Sequence, residues 1–188
     1  MNQNTDARIQ RSSTAIVQAA MMALNQNPDA ALKDIAQQAG VGRATLYRLF
    51  ASKECLIEAI VDQCLTTFDI KTKHIETQAR SVRNAIELLF EAILPLHHEL
   101  QFLINVNEAS IKSPELQLRI QAQQNEMIQL IESGKNEGCV AKHLPTLWVV
   151  NLIDGILYSA WSMQKDHEYT DEQLVELSIT TLFNGIQK

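Results

Sequence analysis

Leu32-Lys-Asp-Ile-Ala-Gln-Gln-Ala-Gly-Val-Gly-Arg-Ala-Thr-Leu-Tyr-Arg-Leu-Phe50 reads as two short helices joined at Gly40. Ile35, Val41, Leu46 and Phe50 are spaced to bury an inner face, and Ala36 is small where the two helices cross. Gly40 supplies the left-handed backbone that turns the chain without Cβ strain. Two short helices across a tight glycine turn make a helix-turn-helix. Its outer face is left with Gly42, Arg43, Ala44, Thr45, Tyr47 and Arg48. Small residues at the start of the second helix permit close approach to a duplex. Arg43 can reach base edges, and Thr45, Tyr47 and Arg48 can bond base or phosphate. A structural hairpin with a solvated polar face is the competing reading. Turn, buried pattern and basic outer face agree on DNA binding.

Outward from this stretch, apolar residues recur at helical spacing and no long stretch alternates with the period of two of a strand. The fold is expected to be all-α, with about nine helices. The first runs from about Asp6 to Asn25 with Ile9, Ile16, Ala19, Ala20, Ala23 and Leu24 on one face, and Asn27-Pro28-Asp29 breaks it. The helices of the turn motif lie near Ala30–Ala39 and Arg43–Phe50, and Ser52 caps a fourth reaching about Lys73. Further helices are expected at Ser81–Leu94 and Leu96–Ile111. Ser113-Pro114-Glu115 opens another that stops at Gly138. Pro145–Met163 follows, and Thr170-Asp-Glu-Gln173 is a capping box for the last.

The 188 residues carry a formal net charge of −6, which by itself argues against a nucleic-acid partner. Residues 1–53 carry +3 and the remainder −9. A basic front on an acidic back suits separate partners for the two parts. Ten Gly and Pro residues are too few for a turn-rich all-β fold. No apolar run is long enough to span a membrane, and the N-terminus lacks the order of a signal peptide, so a cytoplasmic protein with no membrane partner is expected. Cys55, Cys64 and Cys139 lack CxxC spacing and read as small buried hydrophobes in a reducing compartment.

The string from Asp34 to Leu56, with its Tyr47-x-x-Phe50-x-x-Lys53-Glu54-x-Leu56 ending, resembles the N-terminal signature of TetR-type transcriptional regulators. The resemblance implies a homodimer with an N-terminal DNA-binding domain, here residues 1–53. Helix four joins it to a larger helical ligand-binding and dimerisation domain, residues 54–188, which dimerises through the last two helices. By position, Arg43, Ala44 and Thr45 would face the major groove of a palindromic operator, and Tyr47, Arg48 and Lys53 its backbone. Lys53 also sits where a helix N-terminus favours phosphate. Two positions depart from the family. Ala30 and Ala31 stand where Thr or Ser often opens helix two, so a cap and a phosphate contact are missing unless Asp29 supplies the cap. Leu49 replaces a frequent His.

In the back part, Pro145–Met163 is apolar on more than one side. Trp148, Leu152, Gly155 and Ser159 lie on one face, matched by Leu174, Leu177, Ser178, Thr181, Leu182 and Gly185 on the last helix. These form either a four-helix dimer interface or ordinary monomer core. Dimerisation is the expectation, because a helix-turn-helix reads half-sites with two-fold symmetry. On the other side, Asp154 stands among Tyr158 and Trp161. With Phe68, Phe90, Phe102, Asn107 and Met127 these line either an apolar pocket for a small-molecule effector, suited to a lipophilic cation, or a packed core in which the polar groups are paired. His97-His98-Glu99 are adjacent and diverge, so no metal is expected. No phosphate loop, nucleophile elbow or HExxH motif appears, so neither a cofactor nor enzyme activity is expected. The expected function is a repressor released from DNA by a small molecule. The alternatives are a helical interaction module keeping the helix-turn-helix as scaffold, or an activator with no small-molecule ligand.

Overall fold

The structure, a computed structural model, describes the backbone of residues 3–107, 110–164 and 168–186, and the side chains of the same residues from 13 to 185. Ile9 of the expected first-helix face thus lies outside the described side chains. The described residues form ten helices and no strand. These are α1 (Gln3–Gln26), α2 (Leu32–Gln38), α3 (Arg43–Leu49), α4 (Lys53–Thr72), α5 (Ile75–Gln78), α6 (Val82–Ile93), α7 (His97–Asn105), α8 (Pro114–Glu137), α9 (Thr146–Gln164) and α10 (Asp171–Ile186). The all-α expectation holds. The ten include α5, a single turn that no apolar periodicity marks.

Local chemistry sets most boundaries. Ser52 and Ser81 accept the amides of Cys55 and Asn84, both at 3.2 Å, at the starts of α4 and α6. At α10 the amide of Gln173 donates to Thr170 Oγ1 (3.3 Å) and that of Thr170 to Gln173 Oε1 (2.9 Å), a reciprocal capping box. α8 ends at Gly138, whose φ of +85° suits glycine. α7 does not continue to Ile111. Beyond its end the carbonyl of Asn107 accepts both the amide (2.8 Å) and the hydroxyl (2.6 Å) of Ser110, bonds that compete with helical ones. Ile111, placed on that helix by its apolar spacing, lies beyond it and is still buried.

The chain divides into two compact units, one of residues up to 66 with 98–117, the other of 67–97 with 118–186. In the first, α1 packs on α2 and α2 on α3 around Ile16, Ala20, Ile35, Leu46, Leu56 and Ile60, all fully buried. Burying each of these Ile and Leu side chains contributes about 1.5–3 kcal/mol. In the second, α10 packs on both α9 and α6 around Ile86, Phe90, Val149, Ile153, Leu174, Leu182 and Phe183. Only one cysteine fits the expectation of buried hydrophobes. Cys64 is fully buried, its Sγ 3.7 Å from Met21 Sδ, and burial pushes its thiol up to about 12. Cys139 is half-buried and Cys55 exposed, since Cys55 falls on the outward side of the first turn of α4.

Candidate functional site

The turn between α2 and α3 is fixed by backbone chemistry. Gly40 has φ +65°, the Val41 amide donates to the Ala36 carbonyl (3.0 Å) and the Gly40 amide to that of Gln37 (3.1 Å). This is a Schellman closure, with glycine at the one left-handed position. At the start of α2, Ala31 offers no side-chain cap, and Asp29 does not replace it: its amide donates to Asn27 Oδ1 (3.1 Å). Ile35, Leu46 and Phe50 are buried as expected, and Val41 is half-buried.

α3 then presents its other face outward. Arg43, Ala44, Tyr47 and Arg48 are exposed, Thr45 is half-buried, and Arg48 lies in the last turn, where the helix dipole favours a cation. Gly42 is the extended N-cap (φ −67°, ψ 143°) without a side-chain cap. A Cβ built there meets nothing nearer than Thr45 Oγ1 at 4.0 Å, so the chain's own packing does not demand glycine at 42. The small N-terminal end of α3 faces open space. Lys53 opens α4 half-buried, its ammonium donating to the Pro28 carbonyl at 2.7 Å, which ties the α1–α2 turn to α4.

Residues 16–60 match the family model described as bacterial regulatory proteins, tetR family. The match covers the helix-turn-helix and the start of α4. The chain is 24% identical over 177 residues to the HTH-type transcriptional repressor LfrR of Mycolicibacterium smegmatis, covering 94% of this chain and 91% of that protein. Among solved structures, LfrR from Mycobacterium smegmatis in complex with proflavine aligns with a TM-score of 0.76 at 24% identity, covering 97% of this chain and 99% of that one. A TetR family transcription regulator from Marinobacter aquaeolei aligns with a TM-score of 0.75 at 20% identity, covering 99% and 98%. These structural likenesses carry the fold across the whole chain.

The faces of α9 and α10 divide differently from the sequence expectation. α9 has one outward stripe of Trp148, Asn151, Asp154, Gly155, Tyr158, Ser159 and Ser162, and one inward stripe of Val149, Ile153, Leu157, Ala160 and Trp161. Asp154 and Tyr158 therefore share a face with Trp148, Gly155 and Ser159, and Trp161 lies inward, 5.4 Å centroid to centroid from Tyr158. Leu152 is half-buried. On α10 the expected interface stripe splits. Leu174, Ser178 and Leu182 are buried in the chain's own core, and Leu177, Thr181 and Gly185 point outward. Spacing alone does not separate the two stripes, which lie one residue apart.

Of the remaining candidate pocket residues, Phe90 is fully buried, Phe68 and Met127 are half-buried, and Phe102 (buried) and Asn107 (exposed) belong to the first unit. Asp154 stands on an exposed stripe, yet desolvation by its neighbours pushes its carboxyl above the ordinary aspartate range. A groove of about 510 Å³ lies elsewhere in the second unit, lined by Arg83, Glu87 and Glu91 of α6 and Asp171, Glu172 and Glu176 of α10. Arg83 lies over the Phe183 ring at 4.4 Å. Among the described residues no group of three His, Cys, Asp or Glu side chains converges for a metal, and no helix is long and apolar enough to cross a membrane.

Two carboxylates on α4 make contacts that sequence reading missed. Glu58 Oε1 accepts the amides of Lys112 (2.7 Å) and Ser113 (2.8 Å). Asp69 accepts from Arg119 (2.9 Å) and Gln123 (2.7 Å). The available signal was two acids three turns apart on one helix face, a pattern common on solvated surfaces.

Proposed function

We propose that this TetR-family protein is a ligand-responsive transcriptional repressor acting as a homodimer in the cytoplasm, with no catalytic activity. The observation that carries this is α3: a recognition-type helix, set by a Schellman turn, with Arg43, Tyr47 and Arg48 exposed on one face and Gly42 opening onto free space. In this reading residues 1–53 bind DNA and 54–188 sense and dimerise. Gly42, Arg43, Ala44 and Thr45 meet the major groove of a palindromic operator, and Tyr47, Arg48 and Lys53 meet phosphates.

The outward faces of α9 and α10, with Trp148, Gly155, Ser159, Leu177, Thr181 and Gly185, form the dimer contact. An exposed Trp148 (62%) and Leu177 (47%) on adjoining helices support it. The effector class is a planar lipophilic cation. The support for this class is that a similar protein, LfrR, has been solved in complex with proflavine, an aromatic cation. Such an effector releases DNA only if it binds the non-DNA conformer more tightly, since coupling is set by differential affinity.

The test is fluorescence anisotropy with DNA from upstream of the protein's own gene. Arg43→Ala is expected to cost about 1–3 kcal/mol at the operator and little on scrambled duplex. Lys53→Ala should weaken both and flatten the salt dependence by about one unit of slope. Because its ammonium also holds the Pro28 carbonyl, Lys53→Ala should lower stability as well. Equal affinity of the parent protein for operator and scrambled DNA rejects the specific-regulator reading and favours an interaction module built on the same scaffold.

A further inference from the structure

The outward face of α3 carries its exposed residues in two rows. Arg43 and Tyr47, four apart, make one row, and Ala44 and Arg48 make the next, with Leu46 buried on the opposite side. Among the described residues, no hydrogen bond or ion pair within the chain holds the guanidinium of Arg43 or that of Arg48. Lys53, by contrast, is bonded to the Pro28 carbonyl. α3 has seven residues, a rise of roughly 10 Å, and the major groove is roughly 12 Å wide. A recognition helix meets base edges with its early residues, which leaves Arg48, in the last turn, toward the wall of the groove where the phosphates lie. Arg43 stands between Gly42 and Ala44, so no bulky neighbour holds this part of the helix off the bases.

We infer that Arg43 reads a guanine in each half-site, and that Ala44 reads the C5-methyl group of a thymine in the neighbouring base pair. The inference rests on the proposed repressor function and names the bases that α3 selects. A guanidinium carries its donors in a fixed fork and has no acceptor. In the major groove guanine alone presents two acceptors, N7 and O6, on one base edge. Adenine sets a donor beside its acceptor, cytosine offers a donor, and thymine an acceptor beside its methyl group. The fork of Arg43 therefore makes two bonds at guanine, and at adenine it sets a donor against a donor. Ala44 has no polar side-chain atom, so the edge it favours is the apolar one, the thymine methyl group. Consecutive Cα atoms lie about 3.8 Å apart, close to the base-pair step of about 3.4 Å, which sets the two bases next to one another. Arg43 and Ala44 are thus the specificity-determining residues of this face, and Tyr47, Arg48 and Lys53 hold the backbone.

In the experiment the full-length protein selects duplexes from a randomised double-stranded DNA library, and anisotropy then follows its affinity for the selected sequence as single bases are altered. The selected half-site should hold a fixed guanine with a thymine in the next base pair. Replacing that G·C pair by A·T should weaken the parent roughly 5- to 150-fold, the range of a bidentate contact. Replacing the guanine by 7-deazaguanine, which pairs normally and lacks only the N7 acceptor, should weaken it about threefold or more. Neither change should alter the affinity of Arg43→Ala. Uracil in place of the thymine removes only the methyl group, and should weaken the parent about threefold and Ala44→Gly not at all. Each penalty is a ratio within one protein, so a variant's overall affinity or stability does not enter it, and the penalties in the parent need no variant. Absence of a 7-deazaguanine penalty in the parent overturns the Arg43 assignment, and absence of a uracil penalty overturns that of Ala44. An Arg43→Ala protein that keeps every base preference while losing affinity equally on all duplexes makes Arg43 a phosphate contact; the proposal then fails and the repressor reading stands. A parent that enriches no sequence from the library rejects the repressor reading, and the base assignment with it.

Discussion

At Gly40 and Gly42, two residues apart, glycine has different reasons to be present. Gly40 sits at φ +65°, where a Cβ costs about 1–2 kcal/mol, although the space around it is open. Gly40→Ala should therefore lower unfolding free energy by about that amount in urea denaturation. Gly42 has φ −67°, open to any residue, and stands at an N-cap where serine is preferred by a few tenths of a kcal/mol. Gly42→Ser is expected to leave the fold as stable or slightly more so and to weaken operator binding by crowding the approach of α3. A Gly42→Ser protein with full operator affinity would remove Gly42 from the proposed interface. Asp154 carries the pH prediction. Its folded-state pKa is raised by desolvation, so the folded chain holds that proton to higher pH than the unfolded chain does. Its contribution to stability is full below the ordinary aspartate value of about 3.9 and is lost as pH rises through the raised value. Asp154→Asn has no such loss, so the melting temperature of the variant should gain on the parent as pH rises from about 4 toward neutrality.

At the scale of elements, α8 contains a close approach that propensity alone opposes. Gly134 sits inside this helix, where glycine costs about 1 kcal/mol relative to alanine. A Cβ there would lie 2.9 Å from Val140 Cγ2, 3.0 Å from Val82 Cγ1 and 3.3 Å from Cys139 Sγ. Two of these belong to stiff β-branched side chains. Gly134→Ala is expected to lower stability by about 1–2 kcal/mol despite the better helix former, measured as a drop in urea midpoint at unchanged slope. Elements whose ends carry their own chemistry were legible in the sequence. Gly40, Ser52, Ser113, Gly138 and the Thr170–Gln173 box each mark a boundary that the structure keeps within two residues. The end of α7 was not legible, because its apolar spacing runs through Asn105 to Ile111 and the hydrogen bonds between Asn107 and Ser110 leave no hydrophobic trace. Nor were the faces of α9 and α10, since a helix apolar on two sides does not say which side meets its own chain. The polar clamps at Glu58 and Asp69 depend on residues 50 to 55 positions away, and no local pattern announces them.

At the scale of the whole molecule, the outward stripes of α9 and α10 separate assembly from folding. Leu182 and Leu177 lie on the same helix with opposite surroundings: Leu182 is fully buried in its own chain and Leu177 is 47% exposed. Leu182→Ala opens a cavity in the second unit and should cost about 2–5 kcal/mol of stability. Leu177→Arg alters a side chain already half exposed, where a long arginine stem can cover the same surface, so the helical content of the protomer should hold and its thermal midpoint should change little. In the proposed homodimer, however, the substitution sets a guanidinium against its two-fold mate in an isologous contact. It should yield a monomer in sedimentation velocity. Operator affinity should fall steeply with it, because a monomer engages one half-site and loses the effective concentration that linkage gives the second. The basic front and acidic back make this loss steeper in salt, since half of the phosphate contacts go with the partner. A Leu177→Arg protein that sediments as a dimer, with operator affinity intact, would move the contact off this face and leave Trp148 and Leu177 exposed for another partner.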